Sequence, residues 1–159
     1  MPIPDFIVAL RERVGTAALW LPAVAGVVVR PGSDGDEVLL VRRADTGAWT
    51  PVTGILDPGE EPAVGAEREI LEETGVVAVA DRLVWAHATP EIEFENGDRS
   101  AFLSLCFRCS WVSGEPYAAD DESSDSRWFD AGALPELEPD QRRRVDLALA
   151  NAPEAVFAR

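Results

Sequence analysis

One histidine and two cysteines are all that this 159-residue sequence holds of those two residue types, and it has no apolar stretch of membrane-spanning length. Each shortage excludes something. The longest apolar run, Ala17 to Val29, is interrupted by Pro22; a bilayer span takes about 20 residues, so the run fits a buried strand instead. Met1-Pro2-Ile3-Pro4-Asp5 has neither the basic start nor the apolar centre of a signal peptide. A cytoplasmic location without a membrane partner is therefore expected. Cys106 and Cys109 form a C-x-x-C, but it lies within Leu103 to Trp111, which reads as a strand. Side chains three apart on a strand point to opposite faces, so the pair cannot grip one metal, and two buried thiols are expected. The lone His87 stands apart from any serine or cysteine nucleophile pattern. Positive charge is scarce too: 14 basic against 29 acidic residues give a net charge of −15 and a pI near 4.3. Such a surface repels DNA and RNA, so no nucleic-acid polymer is expected as partner. An acidic protein that handles phosphates would need metal ions to screen their approach; a merely solubilising surface is the plainer reading of the same charge.

What is present reads as one mixed α/β domain over residues 1–159, with no repeat, linker or low-complexity tract. Pro4 to Val14 has helical spacing, with Phe6, Ile7 and Leu10 on one side and Gly15 closing it. Ala18 to Arg30 reads as a long strand, broken or bent at Pro22, and Glu37 to Arg42 returns as its hairpin partner across Pro31 to Asp36. Trp49 to Ile55 reads as a short strand. Pro62 sits at the first position of a helix that Gly75 ends. Strands follow at Val76 to His87, near Ile92, at Ser100 to Val112 and at Arg127 to Phe129, the second and third joined by an Asn96-Gly97 turn. Gly114 to Asp125 reads as an acidic loop and Pro139 to Asn151 as a final helix. Core packing is the expected role of most of the five tryptophans; Trp49 stands just ahead of the acidic helix.

The chemistry concentrates between Gly54 and Val76, GILDPGEEPAVGAEREILEETGV. At ~3.6 residues per turn, Glu69 and Glu73 lie about 40° apart and Glu72 about 60° to the other side, so three carboxylates share one face. Like charges at these spacings repel by a few tenths of a kcal/mol each. Ala63, Ala66 and Ile70 form an adjacent apolar strip, so the acidic face borders the core. A hard divalent cation with oxygen ligands would offset the repulsion, and Mg²⁺ suits a site shared with phosphates. The alternative is a solvated acidic face.

This segment resembles the Nudix family, whose signature is G-x5-E-x7-R-E-U-x-E-E-x-G-U with U a bulky aliphatic residue. Gly54, Glu60, Arg68, Glu69, Ile70, Glu72, Glu73, Gly75 and Val76 all fall in register. By average residue usage, chance would do this on the order of 10⁻⁹ of the time per starting position. The resemblance implies a Nudix fold, a mixed β-sheet sandwiched between helices. It also implies a hydrolase that cuts the diphosphate linkage of a nucleoside diphosphate derivative or a nucleoside triphosphate, using Mg²⁺ with Mn²⁺ as substitute. Relatives are commonly dimers, so a homodimer is expected. A non-catalytic Nudix-fold binding module is the alternative; it would be signalled by lost carboxylates, and none is lost. By the same resemblance Glu69 and Glu73 are metal ligands, and Glu72 is a third ligand or the group that positions them. Arg68 holds a carboxylate, Glu60 ties loop to helix, and a carbonyl near Gly54 reaches the metal. A further carboxylate from a distal loop serves as ligand or general base. Of Asp120, Asp121, Glu122 and Asp125, Glu122 is favoured for its place before the Trp128 strand. One departure stands out: Pro51-Val52-Thr53-Gly54 replaces the family's P-G-G stretch with a β-branched residue in place of a glycine.

Overall fold

The β-branched run ahead of residue 31 becomes the axis of the molecule. In the computed structural model, which describes residues 3–157, Leu19–Pro31 (β1) is a continuous strand at the centre of the sheet. Its side chains alternate between two cores. Ala25, Val27 and Val29 point to one face, and Val24 and Val28 to the other. β1 pairs in parallel with Arg99–Ser113 (β7), from Leu19↔Ser100 to Val29↔Ser110. On its other side it pairs antiparallel with Asp36–Arg43 (β2) and with Val52–Ile55 (β4). The expected break at Pro22 does not occur. The carbonyl of Pro22 accepts from the Leu56 N–H at 3.2 Å, just past the last β4 pair, Ala23↔Ile55. The missing N–H faces that same side, where no ladder needs it.

Among the described residues the sheet runs β3-β2-β1-β7-β5-β9, with β3 at Trp49–Thr50, Val77–Ala88 as β5 and Val156–Phe157 as β9. Ile92–Glu93 (β6) pairs with β7, and Ser123–Asp130 (β8) with β2. Helix Pro62–Thr74 (α2) covers one face, where Ile70 packs with Val28, Leu39, Val41 and Val52. Helix Pro139–Ala150 (α3) covers the other, where Val145 and Ala148 meet Val27, Leu40 and Trp85. The result is the expected mixed sheet between helices. The two cysteines are free and buried, Cys106 in the α3-side core and Cys109 in the α2-side core. Among the described residues no helix is long and apolar enough to cross a membrane.

Several local expectations change. Trp49 to Ile55 is two strands, because Pro51 lacks a donor and the chain changes partner there, from β2 to β1. Strand β8 begins at Ser123, so Asp125 belongs to it, opposite Arg42 and ion-paired to Arg127, outside the loop. The first helix, Asp5–Val14 (α1), buries only Ile7; Leu10 is exposed and Phe6 half-buried. Its anchor is polar: the Arg11 guanidinium donates to the carbonyls of Ala17 at 2.6 Å and Arg99 at 2.8 Å. Trp85 is buried, and Trp49 and Trp128 pack on the two cores, but Trp20 is 60% exposed and Trp111 also reaches solvent.

Candidate active site

Helix α2 starts at Pro62, whose fixed φ suits a first turn, and stops at Gly75, which adopts φ 70°. Gly75 also lies under the ring of Tyr117, where a Cβ would collide. Between these ends the three signature carboxylates of the helix separate by environment. Glu69 is 1% and Glu73 5% exposed, whereas Glu72 is 49% exposed at the rim. Glu69 lies over β4 so closely that a Cβ on Gly54 would run into its carboxylate. A close approach, rather than a turn, is what demands glycine there.

Arg68 organises the helix and the loop before it. Its Nε and Nη2 donate to the two carboxylate oxygens of Glu60 at 2.7 and 2.8 Å, a bidentate fork. Its Nη1 donates to Glu69 Oε1 at 2.9 Å and to Glu72 Oε2 at 3.1 Å. Glu60 Oε2 also accepts from the Asp57 N–H at 3.0 Å, so the loop is tied to the helix through one carboxylate. The Arg68 fork holds the Glu60 carboxyl below its ordinary value. Burial pushes Glu69 up to about 7, against the pull of Arg68 and helped by Glu72 and Glu60. Burial pushes Glu73 up to about 8, reinforced by Asp120, Glu69 and Glu122.

The acidic loop closes over the end of α2. The Tyr117 and Ala119 N–H groups donate to the carbonyls of Thr74 and Glu73, each at 3.1 Å, satisfying helix-terminal acceptors. Asp120 Oδ1 accepts from the N–H groups of Glu122 and Ser123 at 3.1 and 3.2 Å. The Glu122 carbonyl accepts from the Ala44 N–H at 2.7 Å, which docks the loop against the turn after β2. In that turn Asp45 grips Arg43 through Nε at 2.9 Å and Nη2 at 2.6 Å; the Arg43 guanidinium also lies in the field of Glu122 and Glu73.

The structure thus brings Glu69, Glu72, Glu73, Arg68 and Gly54 into one site, with the loop bearing Glu122 beside it. His87 lies elsewhere, stacked on Trp85 at 3.5 Å on the α3 side. The sequence reading holds Asp120 only as an alternative to Glu122, and it misses Arg43. Asp120 heads the charges that raise Glu73, and Arg43 lies near the site from the end of β2. Only the repeated Arg42-Arg43 beside an Asp45 hinted at the second.

The donor set suits a cation. Glu69 Oε2 is buried without a hydrogen-bond partner, an orphan that a hard cation would satisfy. Glu69 and Glu73 are both carboxylates whose charged forms are disfavoured without a counter-charge. Among the described residues no three His, Cys, Asp or Glu side chains already converge on one point. Two buried carboxylates with a rim partner, rather than a finished cage, are what the site offers.

Comparison with known proteins bears on the family and the fold. The family model for the NUDIX domain matches residues 20–148. This chain belongs to the Nudix family. It is 37% identical over 107 residues to a MutT-like protein of Streptomyces ambofaciens, covering 67% of this chain and 62% of that protein. It is 30% identical over 115 residues to a putative 8-oxo-dGTP diphosphatase of Bacillus subtilis, with 72% of each covered. It is 34% identical over 121 residues to the NAD-capped RNA hydrolase NudC of Pseudomonas aeruginosa, covering 73% of this chain but 41% of that one. An ADP-ribose pyrophosphatase from Streptococcus suis shares the Nudix fold at TM-score 0.64 and 19% identity, covering 86% of this chain and 96% of that one.

Proposed function

We propose that this Nudix protein is a divalent-cation-dependent pyrophosphohydrolase that cleaves the diphosphate linkage of a nucleoside diphosphate derivative or nucleoside triphosphate by attack of water at phosphorus. One observation carries the reading: Glu69 and Glu73 are buried with their carboxyls pushed up by that burial, Glu69 Oε2 has no hydrogen-bond partner, and their neighbours Arg68 and Glu72 line an open cleft. Burying two carboxylates side by side is costly unless a counter-charge joins them. Glu69 and Glu73 would hold Mg²⁺, or Mn²⁺ in its place, with Glu72 at the rim and the Gly54 carbonyl as a backbone ligand. Held there, the cation would supply positive charge to screen the diphosphate oxygens and to make a water more acidic.

The chain's own residues supply the rest. Arg68 is a positioning residue, since its four short bonds run to carboxylates and hold Glu69 Oε1 in place. Glu122 takes the proton of the attacking water. Asp120, whose Oδ1 already organises two loop N–H groups, sets the loop against Glu73. A compact diphosphate fits better than a polymer: a net charge of −15 opposes a long phosphate chain over this surface.

The test is product analysis over a panel of ADP-ribose, NAD, nucleoside diphosphate sugars and (deoxy)nucleoside triphosphates, with Mg²⁺ or Mn²⁺, in ¹⁸O-water. Turnover of at least one class, abolished by chelation and with the label in a phosphate product, is expected. Absence of turnover on every class with either cation would overturn the reading.

A further inference from the structure

The cleft beside α2 has a volume of about 740 Å³, within the range of small-molecule sites. Its walls differ in chemistry. The charged part of its lining includes Asp57, Arg68, Glu72 and Asp120. The apolar part is Ile3, Pro4 and Phe6 of the N-terminal segment together with Ile55 and Pro58. The segment is not part of the family signature, and of α1 only Ile7 enters the core. Yet it is fixed in place. Ile7 and Val8 N–H groups donate to the Pro4 carbonyl at 2.9 and 3.2 Å, and Arg11 ties the helix to Ala17, Arg99 and Ser100.

From these walls we infer that the N-terminal segment is the specificity wall of the cleft, with half-buried Phe6 stacking on the nucleobase of the substrate. The inference rests on the hydrolase reading for the diphosphate half only. Phe6 is the one aromatic side chain lining the cleft among the described residues, and an aromatic face among apolar neighbours suits a flat, neutral ring. Asp5, next to Phe6 in the chain, and Asp57 also line the cleft. Both are acceptor groups that repel a second phosphate and favour the donors of a nucleoside, its sugar hydroxyls and exocyclic amine. The organic half of the substrate therefore lies toward α1 while the diphosphate lies toward Glu69 and Glu73.

Calorimetric binding in Mg²⁺ separates the two halves. The probes are α,β-methylene-ADP, which carries a base, and methylenediphosphonate, which does not. Phe6→Ala is expected to weaken the nucleotide analogue about tenfold or more, as for loss of a base-stacking ring, and to leave methylenediphosphonate within twofold. Phe6→Tyr keeps the ring and is expected to restore nucleotide affinity, which a merely structural role in α1 would not explain. Equal nucleotide affinity in wild type and Phe6→Ala, equal losses on both probes, or no nucleotide binding by the wild type would each overturn the inference. The hydrolase reading fails separately, on the wild-type turnover panel.

Discussion

Glu73 and Gly54 test the site at the scale of single atoms. Glu73→Gln keeps size and helix propensity but removes the charge that a cation would need. Turnover is expected to fall on the order of 10²-fold or more, as for loss of one electrostatic stabiliser. Stability of the metal-free protein is expected to stay level or rise, because a buried like-charge neighbour of Glu69 and Asp120 is gone. Steady-state rates at several Mg²⁺ concentrations, beside thermal melts, check both halves; near-normal turnover at ordinary Mg²⁺ would remove Glu73 from the metal site. Gly54→Ala attacks the same place from the strand. The new methyl group meets the Glu69 carboxylate, so Glu69 must move or the strand must shift. Overpacking of this kind costs about 1–3 kcal/mol. Denaturant unfolding should show that loss, together with a weakened Mg²⁺ response.

At the scale of elements, the signature between Gly54 and Val76 was legible because α2 obeys its local signals. Pro62, Gly75 and the register of Arg68 with Glu69, Glu72 and Glu73 all agree with the observed helix. Periodicity gives angles around that helix but not what lies opposite each angle. It therefore put three carboxylates on one face without showing that Glu69 and Glu73 are buried, Glu69 against β4, and Glu72 left at the rim. The split at Pro51 and the start of β8 at Ser123 were hidden for a related reason: strand partners belong to the sheet, not to the segment. The nearness of Arg43 and Asp120 to Glu73, and of Ile3 to Phe6 to the cleft, joins segments far apart in the chain. Arg68 offers the sharpest element-scale test, since it joins loop to helix. Arg68→Lys keeps the charge but cannot span Glu60 as a fork. It is expected to cost about 1–3 kcal/mol by leaving part-buried carboxylate oxygens unpaired, and to loosen the segment from Asp57 to Glu60. Hydrogen exchange should show faster exchange there than in α3; uniform protection would count against the tie.

For the whole molecule, the buried carboxylates make stability depend on pH in a direction opposite to the usual acid unfolding. In the folded chain Glu69 and Glu73 protonate at about 7 and about 8, against an ordinary 4.5. Between about pH 4.5 and 8 the metal-free folded protein therefore binds more protons than the unfolded chain, and stability falls as pH rises. The stabilisation is fully present below the ordinary value and is lost as pH climbs through 7 and 8. Each pH unit in that window costs at most about 1.4 kcal/mol per group, or about 4 °C in Tm for a chain of this length. Asp45, held by Arg43 down to about 2, works the other way and weakens the fold only below the ordinary carboxylate range. Melts in EDTA should thus fall by several degrees from pH 6 to pH 8.5, and Glu73→Gln should flatten the slope, which separates this effect from general repulsion among 29 acidic residues. Mg²⁺ competes with those same protons, so it should raise Tm more at pH 8.5 than at pH 6. A Mg²⁺ shift independent of pH would place the cation away from Glu69 and Glu73.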